Sequence, residues 1–237
     1  MGELLTINTQ GNSDGFRHNL RYTFCGSGGS IASDITTSYD WTVPLSLANQ
    51  IPNVNNGTLI IYCKTFLGNI EVGEEKTVTV VLNVSSTVIP SISGVSITEG
   101  TGGLAAKFGA YIQNKSTLNV AITASGARGS TIVRYETYIQ GKAYRSASFT
   151  STMLTASGTI NVVTTVTDSR GRTKQVTNSI NVVAYSPPTI NSMRAYRING
   201  SGTAAEDGTK LAVYMNFAID PVSVSGVNKN NRNYSIE

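Results

Sequence analysis

Apolar and polar residues alternate with a period of two along most of the chain, which predicts β-strands. The clearest example is the pair of runs 159–166 and 176–183, each with its apolar side chains on one face. Between them, segment 168–171 (Asp-Ser-Arg-Gly) has the composition of a turn, because aspartate can bond the backbone two residues on and glycine tolerates positive φ. The pattern predicts a long antiparallel hairpin with a charged tip, of the kind that closes an immunoglobulin-like sandwich.

The same periodicity predicts further strands on both sides of this hairpin. Before it, we expect strands near 16–24, 31–43, 58–66 and 78–84, a flexible loop over 26–30, and one helical turn over 44–50, where Pro44 suits a helix entry. In the central third, we expect seven short strands, near 93–97, 104–112, 116–123, 131–139, 143–150, 158–167 and 173–184. In the last fifty residues, the pattern predicts a strand over 211–219, an Asn-rich loop over 228–233 and a strand from Tyr234.

Two proline-containing junctions divide the chain. Segments 85–92 and 185–190 share a Pro-(Ser/Thr)-Ile core, at Pro90 and Pro188, about one sandwich module apart. Proline fixes φ and donates no ladder hydrogen bond, which suits a stiff joint. We therefore predict an all-β chain of tandem immunoglobulin-like or fibronectin-like β-sandwich modules. Module one spans 1–88, module two spans 89–186, and 187–237 begins a module three that is too short to close a sandwich.

The number and sign of charged residues also differ between the predicted modules. Only 14% of the residues are charged, whereas soluble domains typically have about 25%. Module one carries four Lys/Arg and seven Asp/Glu, module two nine and three, and module three five and four. Module two is thus the basic one, which could steer it towards anionic partners. Its basic residues follow no nucleic-acid recognition motif, and we predict no nucleic-acid partner.

Few residues suit catalysis or metal binding. The one histidine, His18, lies on a strand between Phe16 and Leu20, without the neighbouring acid and nucleophile of a catalytic triad. Cys25 and Cys63 bracket Trp41 in the order of an immunoglobulin disulfide. A bridge between them is conceivable, but reduced thiols are favoured because no secretion signal is evident. We predict no enzyme activity, no cofactor and no metal site.

Candidate contact residues cluster in module two. Tyrosine side chains serve both as half-buried strand packing and as platforms for sugars or proteins. The candidates for a ligand or contact surface are Tyr135, Tyr138, Tyr144, Arg170 and Arg172. No run approaches the roughly 18 apolar residues that span a membrane, and we predict no membrane partner.

Several segments together resemble a known family. They include 39–52 (YDWTVPLSLANQIP), 109–116 (GAYIQNKS), 166–172 (VTDSRGR) and 185–190 (YSPPTI). They are similar to the repeated β modules of minor structural tail proteins of siphophages that infect Gram-positive bacteria, streptococci in particular. The resemblance covers most of the chain and brings no catalytic residues.

The resemblance implies a virion protein of the tail or tail tip, assembled in the host cytoplasm. Its expected role is that of a spacer-adhesive segment contributing to host attachment. Its expected partners are other tail proteins, copies of itself and host cell-wall carbohydrate. Two alternatives stay open from the residues, namely a bacterial cell-surface adhesin and a carbohydrate-binding β module.

Overall fold

A computed structural model describes residues 1–10 and 15–230. Module one contains two sheets that enclose a hydrophobic core. Strands β1 (Leu4–Asn8) and β4 (Ser38–Thr42) pair antiparallel in the smaller sheet. The larger sheet contains β2 (Phe16–Phe24), β3 (Ser27–Ile35), β5 (Asn56–Leu67), β6 (Ile70–Glu71) and β7 (Lys76–Asn83), in the order β3-β2-β5, with β6 and β7 both paired to β5.

Alternation explains how these sheets bury their inner faces. Leu20 and Phe24 on β2 lie on the same inner face of the sheet as Leu59 and Ile61 on the neighbouring β5, and all four are almost fully buried. The core also includes Trp41 from the smaller sheet, so it joins the two layers. The helical turn predicted over 44–50 is a 3-10 helix, Leu45–Gln50, that begins directly after Pro44.

Residues 27–30 of the glycine-rich segment 26–30, predicted as a loop, are instead the start of strand β3. The turn lies earlier, at Cys25 and Gly26, which both have positive φ. Gly29 pairs with Tyr22, and a Cβ on Gly29 would come within 3.1 Å of the Tyr22 ring. Glycine at this position therefore lets a strand pass close to an aromatic side chain, a role that composition alone does not distinguish from loop flexibility.

The two cysteines are free thiols in the structure. Cys25 is exposed at the β2–β3 turn, whereas Cys63 pairs across the sheet with Leu20. Five residues of extended chain, about 17 Å at 3.3 Å per residue, separate Leu20 from Cys25. That distance exceeds the Cα separation a disulfide can bridge, about 7 Å at most.

Module two is a second pair of packed sheets. The three-stranded sheet has the order β13 (Ser148–Thr150), β10 (Leu118–Ser125), β8 (Ser91–Glu99). The five-stranded sheet has the order β12 (Lys142–Tyr144), β11 (Ile132–Ile139), β14 (Gly158–Asp168), β15 (Thr173–Val183), β9 (Tyr111–Ile112), with β9 parallel to β15. Its core is distinct from that of module one and includes Leu118, Val120, Leu154 and Val162.

The long hairpin is confirmed. Strands β14 and β15 pair antiparallel over ten residue pairs, from Gly158 opposite Val182 to Thr167 opposite Thr173. Ile160, Val162 and Val166 are buried on the predicted inner face. The prediction of a strand over 104–112 is wrong for its first part, where Leu104–Phe108 forms the short helix α1, and holds for its end, where Tyr111–Ile112 is strand β9. Glycines with positive φ bound this helix, and Glu99 accepts a hydrogen bond from the Ala105 N–H at its start.

Module three begins with one hairpin, β16 (Thr189–Ile198) and β17 (Lys210–Ala218), which confirms the strand expected over 211–219. A small pair, β18 (Ser223–Val224) and β19 (Val227–Asn228), follows. Met193 and Leu211 are about two-thirds exposed, and Val222 is the one buried apolar side chain after Pro188 in the described part of the chain. The strand expected from Tyr234 lies outside the described residues.

Candidate functional site

The tip of the β14–β15 hairpin is an organised turn. The Asp168 carboxylate accepts hydrogen bonds from the backbone N–H groups of Arg170 (3.0 Å) and Arg172 (2.9 Å). Its second oxygen accepts a bond of 2.9 Å from the Ser130 hydroxyl. Gly171, with φ of 79°, lets the chain reverse, and Asp168 is completely buried. The carboxylate thus fixes the backbone from which both arginine side chains project.

Arg170 joins module two to module one. Its Nη2 donates to the Ala48 carbonyl at 2.7 Å, and its Nε donates to the Ile51 carbonyl at 3.2 Å. These two carbonyls lie at the C-terminal end of the 3-10 helix, where the helix dipole favours a cation. The same guanidinium donates to the carbonyls of Ala127 and Arg128 in module two, both at 2.7 Å. Arg170 is only 5% exposed, so these bonds are shielded from water.

Arg172 binds the linker that leaves module one. Its guanidinium donates to the carbonyls of Val84 at 2.8 Å, of Val88 at 2.6 Å, and of Ser85. Its Nε donates to Asn55 Oδ1 at 2.9 Å. Because one planar fork satisfies three linker carbonyls, the linker segment is held in a single path.

Two shorter side chains complete the contact. Asn55 Nδ2 donates to the Arg170 carbonyl at 2.9 Å, and the Ser169 hydroxyl donates to the Pro52 carbonyl at 2.6 Å. Ala127 packs against the core of module one, and a Cβ on Gly129 would lie 3.2 Å from the Asn49 carbonyl oxygen. We call this set of contacts, from Arg170, Arg172, Asn55 and Ser169, the arginine joint.

The electrostatics of the joint are those of a buried cation with carbonyl acceptors. Burial lowers the pKa of the Arg170 guanidinium from its ordinary value; the carboxylate of Asp168 opposes this shift, and the charge of Arg172 adds to it. Arginine nevertheless stays protonated, because a guanidinium group does not lose its proton in proteins. The arrangement can therefore hold two modules together at any physiological pH.

The arginine joint corrects the expectation that Arg170 and Arg172 form a ligand surface. Both side chains contact module one and its linker, and Arg170 is buried there. The physical reason is that the two guanidinium groups donate to seven main-chain carbonyls at this end, those of residues 48, 51, 84, 85, 88, 127 and 128. Sequence reasoning also missed Asn55, Ser130 and Ser169; the available signal was the Asp-Ser turn itself, whose side chains favour local backbone bonds.

The three candidate tyrosines do not form one surface. Tyr135 packs against the core of module two. Tyr144 stacks on Phe149 with ring centroids 4.5 Å apart, and its hydroxyl bonds Thr152. Tyr138 is 44% exposed on the outer face of β11. It pairs with Val163, five residues of strand from Asp168, or about 17 Å from the arginine joint. Tyr138 thus stays a candidate contact residue on its own.

The described residues contain neither a candidate metal cluster nor a candidate membrane-spanning helix. Residues 1–10 and 15–230 contain no group of three or more His, Cys, Asp or Glu side chains placed to hold a metal ion. Within the same residues, no helix has the length and apolar character to cross a membrane.

Comparison with known proteins gave one family. Residues 1–236 match the profile of a family described as "Siphovirus protein of unknown function (DUF859)". No curated protein matches the chain. Among solved structures, the fibronectin(III)-like modules of Clostridium thermocellum CbhA are similar at 15% identity, over 77% of this chain and 87% of that one, with a TM-score of 0.31. A superposition this loose carries no functional argument.

Proposed function

The chain belongs to the siphovirus family DUF859, and from this membership we propose that it is a structural component of the phage virion, located in the tail or tail tip. Its role is that of a spacer that holds a host-attachment element at a fixed distance and direction. By its resemblance to tail proteins of phages of Gram-positive bacteria, the host is of the streptococcal type. Its partners are other tail proteins or copies of itself, assembled in the host cytoplasm.

The observation that supports this proposal is the arginine joint. A spacer must transmit orientation from one module to the next, and flexible linkers do not. Here one buried guanidinium bonds main-chain carbonyls of both modules, while a second fixes the linker between them. A spacer in a phage tail needs such a fixed orientation between its modules. A protein whose modules act independently does not need it.

The location is tested by electron microscopy of virions labelled with a gold-conjugated antibody against the chain. We expect gold particles at one end of the tail in every labelled virion. Absence of the chain from purified particles, established by mass spectrometry, would refute the proposal.

We also propose that the chain has no catalytic activity of its own. The test is incubation of host cell walls with the purified chain, followed by assay of released reducing sugar and free amino groups. We expect release at the level of a buffer control. Wall lysis that increases with protein concentration would mean that the chain is an enzyme, and would contradict this proposal.

A further inference from the structure

Strand β7 is an open edge of the larger sheet in module one. It pairs with β5 on one side over its whole length, from Lys76 opposite Cys63 to Asn83 opposite Asn56, without a register shift. Within residues 1–10 and 15–230, no strand pairs with its other side. β7 therefore presents an uninterrupted row of main-chain groups that another strand can bond.

The ladder with β5 determines which main-chain groups point outwards. The Val84 N–H donates to the Asn55 carbonyl, in the same register as the pairs of β7. Because bonded and non-bonded pairs alternate in an antiparallel ladder, the odd-numbered residues of β7 direct their N–H and C=O groups away from β5. The Asn83 carbonyl agrees with this direction, since it accepts a bond of 2.8 Å from the Met1 nitrogen. The other odd-numbered residues, all exposed, are Thr77, Thr79 and Val81.

The side chains of β7 lack the features that usually protect an edge strand. Proline, bulges and charged residues hinder the addition of a further strand, and β7 has one charged residue, Lys76, at its first position. Val78 is 53% exposed and Val81 is 61% exposed, and alternation places them on opposite faces of the sheet. A long edge with exposed β-branched apolar residues is a site for strand addition.

The other edges in modules one and two are interrupted, short or polar. Register shifts interrupt the pairing of β3 with β2 and of β8 with β10. Strands β1, β4, β6, β9, β12 and β13 have five residues or fewer. The exposed side chains of β15 are all polar, and β9 pairs with its end. Among these edges, β7 is the long, regular one with exposed apolar residues.

The sequence of β7 is complementary to itself in antiparallel pairing. When Thr79 lies opposite Thr79 of a second copy, Thr77 lies opposite Val81, and the outward N–H and C=O groups of all three residues form hydrogen bonds. Val78 then lies beside Val80 of the second copy, and cross-strand pairs of β-branched side chains stabilise a sheet. One strand thus supplies both halves of the contact.

The ends of β7 favour this register over its neighbours. Moving the axis towards Asn83 would use a carbonyl that already bonds Met1. Moving it the other way would place Val81 opposite a residue before Lys76, beyond the start of the strand. With the axis at Thr79, the two copies of Lys76 lie about 20 Å apart, so like charges do not meet.

We propose that two copies of the chain associate through β7, antiparallel about a two-fold axis at Thr79, so that their larger sheets form one continuous sheet. The inference rests on the part of the proposed function that makes copies of the chain its partners. It is tested on the purified chain, so it can fail while the location in the tail stands. Eight residues per copy fall well below the roughly 20–30 residues a side of a stable complex, so the dimer is weak and reversible.

Cysteine cross-linking tests the position of the axis. All variants carry Cys25→Ser, which removes the exposed native thiol. Thr79→Cys places two thiols on opposite residues with Cα atoms about 5.5 Å apart, within the range of a disulfide. Thr77→Cys is the matched control on the same face of β7, because its Cα lies about 13 Å from its own copy. After mild oxidation, we expect at least about tenfold more covalent dimer from Thr79→Cys than from Thr77→Cys.

A mixture of variants tests the register independently. Thr77→Cys and Val81→Cys chains, each without a close copy of its own thiol, lie opposite each other in the proposed dimer. We expect the mixture to form the mixed disulfide dimer, and each variant alone to remain mostly monomeric.

A proline variant tests the main-chain bonds. Thr79→Pro removes both bonds at the axis and leaves the ladder with β5 in place, because an edge strand tolerates proline where its missing N–H would face solvent. Sedimentation velocity from about 10 µM to about 1 mM should show the wild-type dimer at the upper end, and association at least about tenfold weaker for Thr79→Pro. Fluorescence of Trp41, the single tryptophan, verifies that the variants are folded.

Three results would overturn the proposal. The first is a wild-type chain that stays monomeric at about 1 mM. The second is cross-linking of Thr77→Cys as efficient as that of Thr79→Cys. The third is folded Thr79→Pro that associates as strongly as the wild type, which would place the contact elsewhere on the chain.

Discussion

The two inter-module junctions share a sequence motif but differ in structure. At the first, Pro90 is buried, and Arg170 and Arg172 bond the carbonyls of module one and the linker. At the second, Pro188 is exposed. Tyr185 just before it is contacted by Lys115, whose ammonium lies 5.2 Å from the ring centroid, and its N–H donates to Gln113 at 3.3 Å.

The difference shows that proline in a linker does not by itself make a stiff joint. Proline restricts one φ angle, and the neighbouring dihedrals remain free to rotate. Rigidity at the first junction comes from side chains that cross it. Of the arginines that the structure describes, only Arg170 and Arg172 donate side-chain bonds across a junction. The first junction should therefore be rigid, and the second should be compliant.

The largest effect is expected from Arg170→Met, which makes the first junction resemble the second. Four carbonyls would lose the bond that Arg170 donates, and the buried Asp168 carboxylate would lose the nearby positive charge. Breaking such a buried charged contact typically costs about 3–5 kcal/mol. The measurement is the free energy of unfolding from urea denaturation. The matched control is Arg145→Met, because Arg145 is 68% exposed and bonds only Glu136, which keeps Arg134. That control should change stability by less than about 1 kcal/mol.

A smaller loss, about 2 kcal/mol, is expected from Arg172→Lys. The charge stays, but an ammonium cannot reproduce the planar fork that bonds three linker carbonyls and Asn55. Urea denaturation gives the size of the loss. Wild-type stability in this variant would mean that charge, rather than geometry, holds the linker.

Asn55→Ala should cost about 1 kcal/mol. It removes one bond to the Arg170 carbonyl and one from the Arg172 Nε, both at the partly exposed edge of the joint. A double-mutant cycle with Arg172→Lys should show coupling between the two residues. Strict additivity would contradict a shared network.

The smallest change in stability, under about 1 kcal/mol, is expected from Pro188→Gly. The exposed proline makes few contacts, so its replacement acts mainly on the freedom of the linker. Small-angle scattering should show a broader distribution of distances between module three and the rest of the chain. An unchanged scattering profile would mean that the second junction is held by contacts other than its proline.

The sequence predicted the local structure of the hairpin but not its role. The period-two pattern of 159–166 and 176–183 and the turn at 168–171 are local signals, and the structure confirms both. The partners of Arg170 lie 119 and 122 residues away in module one, and no local pattern encodes such a contact. For the same reason an arginine at a hairpin tip was interpreted as exposed.

The secondary structure of two short segments that contain or adjoin glycines was also predicted wrongly. Segment 104–108 became a helix because Gly103 and Gly109 adopt positive φ and Glu99 binds its first turn. Segment 27–30 is a strand paired with β2, in which Gly29 lies opposite Tyr22 and leaves room for its ring. In both cases the deciding contact comes from a residue outside the segment.

Residual dipolar couplings test the central claim, that the arginine joint makes modules one and two a single rigid body, most directly. Couplings from the two modules of the wild-type chain should fit one shared alignment tensor. In the double variant Arg170→Met/Arg172→Met, the two modules should require separate tensors of unequal magnitude. Separate tensors in the wild-type chain, or one shared tensor in the double variant, would contradict the account.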